Sequence, residues 1–99
     1  MTISTKFDTR TVLVLSTSHI EQSTSEWLEG EAAAEENATS IDVASSIYGF
    51  WMYVHDEWEV DQYPADLCRV FEFCKEHGFS YLCLDRDGDT VDGLPVFHW

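Results

Sequence analysis

Basic residues are scarce in this sequence. The 99 residues contain 5 Lys and Arg against 19 Asp and Glu, which gives a formal net charge of −14. No basic residue stands between Arg10 and Arg69, whereas that interval holds 12 acidic residues. So strong a negative charge opposes binding to nucleic acid or to an anionic membrane, and it favours a partner with a basic surface. We therefore expect no direct contact with DNA, RNA or a membrane.

Long apolar runs and paired cysteines are also lacking. No segment approaches the roughly 20 apolar residues that cross a bilayer, and MTISTKFDTR at residues 1–10 is too polar to predict a signal peptide. The three cysteines, Cys68, Cys74 and Cys83, are odd in number and lie in segments predicted to be core. These features predict a reduced, cytoplasmic protein. Residues 1–99 are expected to form a single domain, with residues 1–10 as a polar lead-in.

No catalytic or metal-binding motif is complete. Asp85, Asp87 and Asp89 alternate as calcium ligands do, yet the glycine and the bidentate Glu of an EF-hand loop are missing from their positions. Asp-Gly between apolar segments favours a turn there instead. The sequence also has no Cys-x-x-Cys pair, no nucleophile elbow and no glycine-rich phosphate loop. We predict a protein that is not an enzyme and that requires no metal ion or cofactor.

The hydrophobic pattern predicts alternating strands and helices. Three short runs rich in β-branched or aromatic side chains are predicted strands: residues 11–17, 48–54 and 80–84. One helix is predicted after a capping box at Ser18 and Glu21, and another begins at Pro64. The tail, residues 90–99, is predicted to add a last strand. The expected fold is α+β with two layers: a mostly antiparallel sheet of three or four strands, two helices on one face, and the order β-α-β-α-β-β.

Two segments admit more than one interpretation. Residues 30–46 form either an acidic loop or an extra helix, because Gly30 interrupts the first helix while EAAAEE favours its resumption. Residues 48–54 carry apolar or aromatic side chains on both faces of the predicted strand. Such a strand is either central in the sheet or covered by a partner on one face.

Acidic residues and one tryptophan make up the candidate partner-binding surface. The net charge exceeds the magnitude of roughly 2 to 8 that suffices for solubility of a small domain. We hypothesise that the carboxylates imitate the phosphates of a nucleic acid, and so block DNA binding by a complex with a basic surface. Trp58, between Glu57 and Glu59, would supply an apolar anchor. The carboxylates are those of Glu21, Glu26, Glu29, Glu31, Glu35, Glu36, Asp42, Asp56, Glu57, Glu59 and Asp61.

Other functions remain open at this point. A small adaptor or antitoxin-like protein would bind another protein through its aromatic strand, with the acids serving only solubility or adaptation to high salt. Self-association as a homo-oligomer is also compatible with the sequence. Mimicry of nucleic acid should weaken steeply as salt rises, whereas an apolar interface should respond little.

Two parts of the sequence resemble a known family. KEHGFSYLCLDRDG with VDGLPVFHW near the end, and TVLVLSTSHI near the beginning, are similar to a family of short bacterial proteins of unknown function. Plasmids, phages and integrative elements carry this family, and the resemblance covers residues 11–28 and 48–99. It implies an origin on mobile elements, whose small acidic proteins include anti-restriction and anti-CRISPR inhibitors. The resemblance transfers no catalytic residue.

Overall fold

The described part of the chain forms four strands and two α-helices. The computed structural model describes residues 9–34 and 41–99. The predicted lead-in therefore lies outside it, apart from the exposed Thr9 and Arg10. A short 3-10 turn at Thr17–His19 follows the first strand. The elements in chain order are β1 (Val12–Ser16), α1 (Gln22–Ala33), β2 (Val43–Ser46), β3 (Gly49–Tyr53), α2 (Ala65–Glu76) and β4 (Tyr81–Asp85).

The strands form one mixed sheet in the order β1-β4-β3-β2. β4 pairs in parallel with β1, whereas the β4–β3 and β3–β2 pairs are antiparallel. Two of the three pairings are thus antiparallel, which confirms the predicted α+β class with a mostly antiparallel sheet. Because β1 and β4 are parallel, their carboxyl ends meet at one edge of the sheet. The turn between β2 and β3 lies at the same edge, since Gly49 pairs with Asp85.

The described residues of the segment 30–46, namely 30–34 and 41–46, belong to neither a separate helix nor a continuous loop. α1 continues through Gly30 to Ala33, and no atom outside the neighbouring helix backbone lies within 4 Å of the position that a Cβ at Gly30 would occupy. An exposed glycine lowers helix stability by only about 0.5–1 kcal/mol, so it does not end α1. Strand β2 then occupies Val43–Ser46 and pairs with β3. The element order is therefore β-α-β-β-α-β, and the predicted order is wrong at this point.

The tail does not add the predicted last strand. Its backbone instead crosses the 3-10 turn, where the Phe97 N–H donates to the Ser18 carbonyl at 2.7 Å. The Val91 N–H donates to Nε2 of the buried His19 at 3.1 Å. Nδ1 therefore carries the ring proton and donates it to the Pro95 carbonyl at 2.8 Å. A proline, which lacks an N–H, is disfavoured within a ladder, and His19 holds this segment by side-chain bonds instead.

The core lies against one face of the sheet. By register, Leu15, Leu84 and Phe50 share this face with Leu82 and Met52, and all are buried. The same buried cluster contains one stripe of α2, whose members follow the predicted i, i+3, i+4, i+7 spacing: Leu67, Val70, Phe71 and Cys74. Leu28 of α1 also belongs to it. Both helices therefore share one core with this face.

Helix α2 caps the start of helix α1. The predicted capping box is wrong, because Ser18 belongs to the 3-10 turn and donates its N–H to Ser16 Oγ at 3.0 Å. Glu21 is the N-cap of α1, and its own side chain makes no capping bond. The buried Asp66 carboxylate accepts the Glu21 N–H at 2.7 Å and the Thr24 hydroxyl at 2.7 Å. One carboxylate of the acidic interval is thus structural.

Candidate functional site

Most of the described candidate carboxylates are exposed. Glu21, Glu26 and Glu29 lie at the start and along the outer side of α1. The connection from β3 to α2 exposes a second group, made up of Asp56, Glu57, Glu59 and Asp61. Asp42, which precedes β2, is 65% exposed, and its Oδ2 lies 2.9 Å from His55 Nε2. These side chains present negative charge from more than one element.

Three of the predicted carboxylates do not contribute to this described surface. Glu31 is 7% exposed, so its carboxylate is not available to imitate a phosphate as the sequence predicted. It follows Thr24 and Leu28 at helical spacing, and all three are the buried residues of α1. Glu35 and Glu36 lie outside the described residues.

Trp58 packs against other side chains of the protein rather than projecting into solvent. Its ring contacts the Phe71 ring at a centroid distance of 5.5 Å, and Lys75 Nζ lies 5.9 Å from its centre. Trp58 is half-buried and packs against the core cluster. This packing does not fit the predicted role of an exposed apolar anchor, because the ring already packs against Phe71 and Lys75 of the same chain.

The second face of the sheet is open. We call it the open face and define it by register as Val12, Val14, Ala44, Trp51, Tyr53, Tyr81 and Cys83. Val14 is 49% exposed and Trp51 is 48% exposed, although both lie in the middle of strands. The Tyr53 and Tyr81 rings pack edge to face at 5.3 Å. The sequence predicted apolar side chains on both faces of β3, and the structure gives only one face to the core.

A cleft lies at the edge where β1 and β4 end. Its volume is about 490 Å³, within the range of small-molecule sites. Five serines line it: Ser16, Ser18, Ser25, Ser45 and Ser46. Glu29 of α1 and Arg86, which follows β4, add one charge of each sign, while Tyr48, Phe97 and Trp99 add aromatic surface. Sequence reasoning did not find this cleft, because its residues come from segments far apart in the chain.

The tail builds one wall of this cleft. The Trp99 indole N–H donates to the Ile20 carbonyl at 2.9 Å, and the Phe97 backbone is bonded to Ser18. The β2–β3 turn also lines the cleft, and there the Arg86 N–H donates to the Tyr48 carbonyl at 2.9 Å. These bonds fix the cleft between the sheet edge and the tail.

Asp85, the last residue of β4, begins a turn with the residues that follow it. The Asp87 N–H donates to Asp85 Oδ1 at 2.8 Å, and the Gly88 N–H donates to the Asp85 carbonyl at 2.9 Å. The predicted turn is confirmed. Across residues 9–34 and 41–99, no three His, Cys, Asp or Glu side chains group in a way that could hold a metal ion. Neither helix in this part of the chain is long and apolar enough to span a bilayer.

We expect the thiols of the folded protein to react slowly with iodoacetamide at pH 8, and Cys74 slowest of all. Burial raises the pKa of Cys74 from 9.0 to about 12, which lowers its thiolate fraction roughly a thousandfold. Burial also raises the pKa of Cys68 and of Cys83, and the Asp85 charge adds to the effect at Cys83. Alkylation rates followed by mass spectrometry, with protein unfolded in urea as the control, measure the difference. Labelling of Cys74 at the same rate in both samples would contradict the expectation.

Comparison with known proteins identifies the family of the chain. No curated protein and no solved structure matches it. Residues 12–99 match the C-terminal domain of a family of unknown function, DUF5983. Because this match covers all the strands and helices described above, the chain belongs to the DUF5983 family.

Proposed function

We propose that this protein binds another protein through the open face of its sheet, and that its acidic side chains select a partner with a basic surface. The observation that supports this most directly is the exposure of Trp51 and Val14 in mid-strand. Exposed apolar patches on soluble domains commonly mark interaction sites. Tryptophan is also enriched among the residues that dominate binding energy. Trp51 thus takes the anchoring role that the sequence suggested for Trp58.

Charge argues for a basic partner rather than a second copy of the chain. Two copies, each with a net charge of −14, would repel one another as their open faces approached. A basic partner would gain attraction instead, from Asp42 beside the open face and from Asp56 and Glu57 in the connection after β3. Such complementarity raises association rates and restricts the choice of partner.

The finer proposal concerns the kind of partner. A nucleic-acid-binding complex presents a basic surface that is spaced for phosphates, and exposed carboxylates can occupy it and displace its counterions. The resemblance to proteins of mobile elements makes a host defence complex, of the restriction or CRISPR type, the partner that we propose. The protein would act as a stoichiometric inhibitor that blocks DNA binding. The carboxylates proposed for this role are Glu21, Glu26, Glu29, Asp42, Asp56, Glu57, Glu59 and Asp61.

A second candidate function uses the open face alone. The protein would then be a small adaptor or antitoxin-like partner, with its acids serving solubility only. The aromatic character of the open face favours this candidate, since Trp51, Tyr53 and Tyr81 lie close together there. The two candidates differ in how binding responds to salt and to competing DNA.

We expect Trp51→Ala to reduce partner capture roughly thirtyfold, the effect of losing a binding residue worth about 2 kcal/mol. Tagged protein is incubated with bacterial lysate at low and high salt, with and without duplex DNA, and bound proteins are quantified by mass spectrometry. Val96→Ala is the matched control, because Val96 is 44% exposed but belongs to the tail, outside both the open face and the proposed carboxylates. Its capture should equal that of the unchanged protein.

The acidic residues are tested in one variant that combines Glu26→Gln, Asp56→Asn and Glu57→Gln. A nucleic-acid-binding complex that is lost in both this variant and Trp51→Ala, and that DNA displaces, would support the inhibitor. A partner that depends on Trp51 but is indifferent to salt, DNA and the neutralised acids would support the adaptor instead. Capture that is unchanged by Trp51→Ala would overturn the role of the open face.

A further inference from the structure

We propose that the cleft at the carboxyl ends of β1 and β4 binds a nucleoside monophosphate. This proposal does not rest on the open face, because the cleft and the open face are formed by different residues, and Glu29 alone is shared with the proposed partner-binding carboxylates. In open α/β sheets, ligands commonly bind outside the carboxyl ends of parallel strands, and β1 and β4 form one such parallel pair in this mixed sheet. Here Ser16 ends β1 and Arg86 follows β4, so both reach the cleft from that edge.

Arg86 is suited to hold the phosphate. Its guanidinium lies 5.8 Å from the centre of the Tyr48 ring, and its backbone is fixed to the Tyr48 carbonyl. Among the residues that the structure describes, this guanidinium forms no ion pair, although the chain has 19 acidic residues. An arginine presents its N–H groups as a planar fork that matches two phosphate oxygens. The side chain is therefore positioned and available for an anionic group.

The hydroxyl-rich wall fits a ribose. Ser16 and Ser18 are already linked, with 2.8 Å between their Oγ atoms, which orders that part of the wall. Ser25 and Ser45 bring further hydroxyls from α1 and β2. The Glu29 carboxylate can accept hydrogen bonds from the vicinal hydroxyls of the sugar, the role that an acidic residue plays in dinucleotide sites.

The aromatic side chains fit a planar base. The Trp99 indole is held by its bond to the Ile20 carbonyl, and the Phe97 backbone is bonded to Ser18, so this part of the cleft is positioned before any ligand arrives. Aromatic rings stack on every base, which makes the site tolerant of base identity. The volume of about 490 Å³ suits one nucleotide rather than a strand. The net charge of −14 also opposes a polyanion, while moderate salt screens the repulsion of a single phosphate.

Tryptophan signals in a ¹H–¹⁵N NMR spectrum provide the test. The full-length protein is titrated with AMP, GMP, CMP and UMP up to millimolar concentrations, in buffer at roughly physiological ionic strength. We expect the indole N–H signal of Trp99 to shift, and that of Trp51 on the open face to stay in place. Adenosine and inorganic phosphate, tested separately, should each bind more weakly than AMP. Absence of a Trp99 shift with all four nucleotides would overturn the proposal.

Arg86→Ala should weaken binding at least about tenfold, as expected when a charge-assisted hydrogen bond is lost. Arg69→Ala is the matched control, because Arg69 is exposed on α2 and does not line the cleft, and its affinity should be unchanged. If Arg86→Ala melts at a lower temperature than the unchanged protein, Arg86→Gln, which keeps a polar side chain near Tyr48, replaces it in the affinity measurement. Equal nucleotide affinities of the Arg86→Ala and Arg69→Ala variants would show that Arg86 does not hold the phosphate. The outcome of the Trp51→Ala capture experiment does not affect the measured nucleotide affinity. Failure of one proposal can therefore be distinguished from failure of the other.

Discussion

Gly49→Ala is expected to destabilise the protein by at least about 4 kcal/mol, a large part of the stability of a small domain. A Cβ at position 49 would lie 1.7 Å from the Leu84 carbonyl oxygen and 2.8 Å from the Leu84 carbonyl carbon. Backbone atoms of a paired strand cannot move aside as the end of a flexible side chain can. The φ angle of Gly49 is +154°, a conformation that residues with a Cβ rarely adopt.

The effect is measured by urea unfolding followed by tryptophan fluorescence, since urea does not screen the charge of this acidic protein as guanidinium would. Gly30→Ala is the control, because it makes the same substitution where a Cβ meets no neighbouring atom. Within α1, alanine should raise the free energy of unfolding by about 0.5–1 kcal/mol. If Gly49→Ala lowered the free energy of unfolding by less than about 1 kcal/mol, β3 and β4 could separate at little cost.

The consequences of Gly49→Ala extend to both proposed surfaces. Gly49 begins β3, which carries Trp51 on the open face, and it also lines the cleft. Displacing β3 from β4 would therefore disturb partner capture and nucleotide binding together. Trp51→Ala and Arg86→Ala, by contrast, each address one surface.

Regular periodicity explains what could be predicted from the sequence. Residues 11–17 and 48–54 contain β1 and β3, and residues 80–84 cover all of β4 except Asp85, because each run is short, apolar and rich in strand-forming side chains. The stripe of α2 follows a helical period and is buried as predicted. These features are local, so a single stretch of sequence carries the whole signal.

β2 and the cap of α1 could not be predicted in the same way. β2 reads VASS, with two serines and only one β-branched residue, and it is a strand because β3 pairs with it. The cap depends on Asp66, which stands 45 residues after Glu21. No local sequence pattern predicts a hydrogen bond between residues so far apart in the chain.

The candidate site was predictable only in part, for a related reason. Exposure of Glu26 and Glu29 agrees with their place outside the apolar stripe of α1. Burial of Glu31 has a signal in the sequence, since it follows Leu28 by three residues and Thr24 by seven, but it is visible only if the helix continues through Gly30. The choice of which face of β3 stays open depends on where both helices pack, and neighbouring residues in the chain do not determine that.

Asp66→Ala is expected to lower the free energy of unfolding by about 3 kcal/mol. The Asp66 carboxylate is 7% exposed and accepts two hydrogen bonds, so its removal leaves the Glu21 N–H and the Thr24 hydroxyl without their acceptor. Both groups lie at the start of α1, and the cap also ties α1 to α2. The substitution should therefore loosen the contact between the two helices as well as the first turn.

Comparison with other single changes distinguishes this cap from a simple effect of charge. Glu72→Ala removes an exposed acid from the same helix, and it should change stability by no more than about 0.5 kcal/mol, or raise it slightly by relieving repulsion. Thr24→Val should cost about 1 kcal/mol alone and nearly nothing in the Asp66→Ala background, because the hydroxyl then has no carboxylate to bond. Urea unfolding of the four proteins of this cycle measures the coupling. Strict additivity of the two changes, or equal effects of Asp66→Ala and Glu72→Ala, would mean that Asp66 contributes to stability only as one more negative charge.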